Sequence, residues 1–241
     1  MTDWVLCMSE KNWLTIWVRP RETIRRIVTE NAKQGLWFLA AIYGFSALLN
    51  SFQALSFGSS LEAFPIFILA LVFSPIWGYI VFSIWGYVVV FTGRWIKGQG
   101  DFQKTRAAYA WSCVPLAVGD LFWLILLMVF GSSLFVNPSP EMELSMGQSS
   151  LILALLFGKM VFSVWSLVIY LNALAEVQQF SIFRAIGNVI IAAILIGLVF
   201  GVFWYLILYT LGMSAQPASN AGAAFQILQE GRMFINDKAF Q

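Results

Sequence analysis

Five stretches of this chain run for twenty residues or more with at most a single charge. They are Gly35 to Phe57, Phe64 to Phe91, Ala107 to Val136, Leu151 to Leu174 and Ala185 to Leu211. About 20 mostly apolar residues cross ~30 Å of hydrocarbon as an α-helix, so each stretch predicts a membrane span. The first is the least apolar, interrupted by Ser46, Asn50, Ser51 and Gln53. The second carries Pro75 and Gly78, which predict a kink, because proline removes a helical hydrogen bond. The third carries Pro115 and Asp120, the fourth Lys159 and Asn172, and the fifth no charge.

The second and fifth stretches have no polar face at helical spacing, which excludes a soluble helical bundle. None alternates apolar and polar residues, which excludes a β-barrel. The expected fold is therefore all-α: a polytopic transmembrane bundle of five helices over residues 35–211. An N-terminal segment, 1–34, reads as amphipathic, interfacial and cytoplasmic, and a tail, 212–241, is expected on the outer side.

Composition agrees with this. Of 241 residues, 60% are hydrophobic and 11% charged, against ~45–50% and ~25% in soluble domains. Residues 1–34 carry charges throughout and lack a signal-peptide core, so the first span is expected to direct insertion. Cys7 and Cys113 lie in a polar and an apolar segment, an arrangement that implies no disulfide. With no histidine in the chain, the commonest metal ligand and the usual general base are missing, so neither a metal nor a cofactor is expected.

Orientation follows from lysine and arginine. The N-terminal segment holds Lys11, Arg19, Arg21, Arg25, Arg26 and Lys33, and the second connection holds Arg94, Lys97, Lys104 and Arg106. The first and third connections hold neither residue type, but carry Glu62 and Glu141 with Glu143. The N-terminus and second connection are thus expected in the cytoplasm, and Arg184 between spans four and five agrees.

Four groups of residues are candidates for function. Trp13 and Trp17, four apart, share a helix face, and Pro20 suits the first turn of a second helix. With Arg19, Arg21, Arg25 and Arg26 they predict contact with anionic lipid or a partner, since tryptophan favours the headgroup level and arginine the anionic leaflet. Gly98 and Gly100 lack the remaining features of a nucleotide-binding loop and read as a turn, with Asp101 capping the next helix. Asp120 and Lys159 are charges inside spans. Counted from the ends of the apolar stretches, their depths sum to ~32 Å, which predicts a midplane ion pair. Gly197 and Gly201 form a GxxxG spacing that predicts close packing within the bundle or between copies.

Several pieces occur in an order that resembles the Yip1 domain family, in particular its short bacterial members. They are Trp13 and Trp17 before Pro20-Arg21-Glu22-Thr23, then Gly98, Gly100 and Phe102, then Ala107-Ala108-Tyr109, Ser112 and Pro115, and finally Phe180-Ser181 before Arg184-Ala185. The resemblance implies a five-span bundle with a cytosolic N-terminus and no enzymatic activity. Eukaryotic relatives serve vesicle transport through Rab-type GTPases in endoplasmic reticulum and Golgi membranes. They carry a long cytosolic N-terminal region where this chain has 34 residues before Gly35, so the architecture carries over and the trafficking role does not. The expected function is a non-enzymatic scaffold or adaptor of the bacterial inner membrane, bound to lipid, to a second copy or to another membrane protein, and not to nucleic acid. The competing expectation is a small transporter or channel built on Asp120 and Lys159.

Overall fold

In a computed structural model, the structure describes residues 12–136 and 145–210; the third connection and the C-terminal tail of the sequence reading lie outside them. All regular structure among the described residues is helical. Helix α1 covers 12–18, α2 Pro20–Asn31, α3 Leu36–Ala54, α4 Ala63–Trp95, α5 Phe102–Ser112, α6 Val114–Phe130, α7 Met146–Gln178 and α8 Ile182–Thr210, with 3₁₀ turns at Phe57–Ser59 and Gly131–Phe135. Five helical segments, Leu36–Ala54, Ala63–Trp95, Val114–Phe135, Met146–Gln178 and Ile182–Thr210, are long and apolar enough to cross a membrane. The chain divides into two compact units, Met1–Ala193 and Ile194–Gln241.

The third apolar stretch is not one helix. The chain breaks at Cys113, between α5 and α6, and Pro115 stands in the first turn of α6. Proline is tolerated there because its missing N–H would have no helical partner. Ser166 of α7 donates its hydroxyl to the Ser112 carbonyl at 2.7 Å, supplying a partner at the break. Asp101 caps α5 as expected, its carboxylate accepting from the Gln103 amide at 3.0 Å.

Span lengths define two layers within Met1–Ala193. At 19 residues, α3 is ~28 Å long, the thickness of the hydrocarbon. Helices α4 and α7, at 33 residues each, are ~50 Å long and overrun it by ~20 Å. Their excess lies at one end, where the connections 96–101 and 179–181 meet: the amides of Gln99 and Gly100 donate to the carbonyl and side-chain oxygens of Gln178, at 3.2 and 2.9 Å. Helices α1, α2 and α5 complete this layer, which also gathers the basic connections.

The core of the layer is apolar and closed. Ile16 of α1, Ile24 and Ile27 of α2, Phe82 of α4 and Trp111 of α5 are buried together with Ile169 and Ala173 of α7. Each such side chain contributes roughly 1.5–3 kcal/mol relative to exposure, so α1 and α2 are folded against the bundle. In the membrane layer, α3 packs most extensively on α4. Two glycines bring these helices into close approach: a Cβ on Gly44 would collide with the Ser74 carbonyl, and one on Gly78 with that of Ala40.

Ala185, Asn188 and Ala192 of α8 are buried in the first unit. Thr92 donates to Asn188 Oδ1 at 2.6 Å, and Asn188 donates to the Val89 carbonyl at 3.1 Å. In the second unit, Ile194–Thr210 presents Leu198, Val199, Phe200, Phe203 and Trp204 outward, as a lipid-facing helix would.

Candidate functional site

Three spans place polar groups around one cavity of about 210 Å³. Tyr43, Ser46 and Asn50 come from α3, Leu116, Gly119 and Asp120 from α6, and Lys159, Phe162 and Ser163 from α7. Each set is spaced three and four residues apart, which aligns it on one helix face. Asp120 is only six residues, or ~9 Å, beyond Val114. The site therefore lies about a third of the way into the membrane layer. The midplane estimate began from Ala107, which belongs to α5 outside that layer.

Asp120 and Lys159 share the cavity without forming the expected ion pair. The ion pairs among the described residues are Arg19–Glu22 at 3.6 Å and Arg25–Glu176 at 2.7 Å. Lys159 directs its ammonium over the Trp123 ring, 4.7 Å from the centroid, a cation–π contact that partly replaces a carboxylate. Asp120 Oδ2 is buried without a hydrogen-bond partner.

One lining residue of the cavity, Tyr43, belongs to a cluster of aromatic rings. Tyr43 lies 5.1 Å from Phe82, Phe82 lies 5.5 Å from Tyr109, and Tyr109 lies 5.1 Å from Tyr170, all centroid to centroid. Trp85 donates to the Tyr170 hydroxyl at 2.8 Å. Edge-to-face pairs of this kind each add ~0.5–1.5 kcal/mol beyond area burial.

The N-terminal candidates make contacts within the chain, while Arg19, Arg21 and Arg25 stay exposed. Trp13 packs edge-on to Phe38 and Trp111, and Trp17 to Phe162. Arg21 donates to Asn172 Oδ1 at 3.1 Å and Arg25 to Glu176 Oε1 at 2.7 Å, while Arg26 bonds the buried Asn12 side chain. Through that hydrogen bond and its charge, Glu176 raises the Arg25 pKa above the ordinary guanidinium value. Arg19 pairs only with Glu22 at the surface. An amphipathic pair of helices can bury its apolar face in lipid or in protein, and the exposed ends of α5 and α7 offer protein.

The remaining candidates separate cleanly. Pro20 opens α2 as expected. Gly98 and Gly100 lie against Gln178 and Phe180, where a Cβ would come within 2.5–2.6 Å. Gly197 and Gly201 lie on the second unit's part of α8. Sequence reasoning missed Gln178, Asn188 and Arg106, whose burial had no signal beyond the small residues around them.

Against known families, the Yip1 domain model matches residues 14–205. The chain belongs to the Yip1 domain family. This is a family of membrane proteins not known as enzymes, and five apolar helices make this Yip1 domain protein a multi-pass membrane protein. The matched range includes both α1–α2 and the Gly98–Gly100 connection, so the basic layer is part of the domain. Neither curated proteins nor solved structures yield a match.

Proposed function

We propose that this Yip1 domain protein is a non-enzymatic scaffold or adaptor of a bacterial inner membrane, with its N-terminus and basic layer in the cytoplasm. The supporting observation is membership of the Yip1 domain family, membrane proteins not known as enzymes, together with the five apolar helices. The cytoplasmic placement rests on the lysine and arginine bias of the connections. Anionic lipid, a second copy or another membrane protein is the partner class this role requires.

The competing reading, a small transporter or channel, draws on one observation: Asp120 and Lys159 line the same cavity without pairing. Reconstitution with a pH-sensitive dye separates the two. The expected result is proton flux no faster than in empty vesicles. Flux above that background that disappears in Asp120→Asn would replace the scaffold with the transporter.

A further inference from the structure

Arg106 is 94% buried, at 6% relative exposure, yet no carboxylate among the described residues meets it. Its Nη1 donates to the Tyr79 hydroxyl at 2.8 Å and to Ser83 Oγ at 3.3 Å, both on α4. The guanidinium carbon lies 4.9 Å from the Tyr79 ring centroid and 5.0 Å from that of Phe102. Nε is buried with no acceptor, and none meets Nη2 among the described residues. A buried guanidinium whose donors are left over is costly unless an anion completes it.

Arg106 also lines an open cavity of about 430 Å³ with Lys33, Leu36, Trp37, Tyr79, Phe102 and Gln103. Two cations and an amide thus face one space, and no acidic residue lines it. The depth of this space is fixed by α3, whose ~28 Å matches the hydrocarbon, so that Leu36 and Trp37 mark its boundary on the basic side. Trp37 stacks on Tyr79 at 4.5 Å and is 58% exposed, the placement of an interfacial tryptophan. Gly86 lets α5 approach at this point, since a Cβ there would stand 3.2 Å from that of Arg106.

We propose that Lys33 and Arg106 form a binding site for a phosphate group, supplied by the headgroup of an anionic lipid in the adjoining leaflet. Arg106 offers its unused Nη2 donors to the phosphate oxygens, Lys33 adds a second charge from the rim, and Trp37 and Leu36 lie along the first methylenes of the acyl chains. The site is separate from the six N-terminal residues Trp13 to Arg26, and it rests on the membrane setting alone, whichever reading of the Asp120 cavity holds.

The test is binding of short-chain phosphatidylglycerol to the full chain in a neutral detergent, measured by native mass spectrometry. Phosphatidylcholine and inorganic phosphate serve as separate probes. Phosphatidylglycerol should bind at least tenfold more tightly than phosphatidylcholine. Lys33→Gln, at an exposed position between helices, should remove most of that preference without changing thermal stability. Arg106→Gln should remove it entirely, and its folding is checked independently by size-exclusion profile. Equal binding of the two lipids, or a preference that survives Lys33→Gln, overturns the site. Saturable inorganic phosphate binding lost in Lys33→Gln, with no lipid preference, would uphold the phosphate chemistry and overturn the lipid as its source.

Discussion

The two layers of Met1–Ala193 differ in how their polar side chains reach across to other helices. In the basic layer, Gln178, Asn188, Thr92 and Glu176 each reach a partner on another helix or connection, although Gln178 Nε2 and Arg106 Nε keep no partner among the described residues. In the membrane layer, where water is scarcer and an unmet charge costs more, Asp120 and Lys159 face a shared cavity without pairing. The contrast teaches where this fold obtains its specificity. Helix ends are fixed above the bilayer by hydrogen bonds that can be counted, whereas inside it α3 and α4 are held by close glycine packing, leaving a polar space between α3, α6 and α7.

If the basic layer is the structural keystone, emptying it should do the most damage. Trp111→Ala removes a ring that is 1% exposed and packed on Trp13, and is expected to lower unfolding stability by about 3–5 kcal/mol, read from thermal denaturation in detergent. A loss under about 1 kcal/mol would mean that α1 and α5 are not mutually supporting. Gln178→Ala leaves the Gly100 amide without its acceptor and should cost about 1–3 kcal/mol. Hydrogen exchange should then accelerate at 98–101 before anywhere else in the layer. For the membrane layer, a double-mutant cycle of Asp120→Asn and Lys159→Gln should give a coupling of about 0.5–1 kcal/mol, because the two groups share a cavity without forming an ion pair. A coupling of ~2 kcal/mol or more would restore the ion pair and erase the contrast between the layers.

The spans were readable because an uncharged run of this length has few alternatives, and Pro20 and Asp101 announced helix starts through chemistry that acts within a few residues. The division at Cys113 was not readable in the same way. Both sides of it are apolar, and Pro115 fits a kink inside a helix as well as a first turn. That ambiguity moved the Asp120 depth by seven residues and produced an ion pair the structure does not make. The docking of α1 and α2 was hidden for a different reason, since Trp13, Trp17 and the arginines would show the same periodicity against lipid as against α7. Arg106 counted only as one more positive charge on a connection; its burial depends on Tyr79 and Ser83, which lie 27 and 23 residues away on another helix.

The Arg21–Asn172 and Arg25–Glu176 bonds each join residues 151 positions apart. At ~5–20 residues per second of synthesis, α2 leaves the ribosome roughly 8–30 s before its partner on α7 exists. During that interval its apolar face, with Ile24 and Ile27, has no finished surface to rest on. Completion of the fourth span is therefore the event that closes the N-terminal segment, and the last long helix joins a bundle whose opposite end of the sequence has only just come to rest.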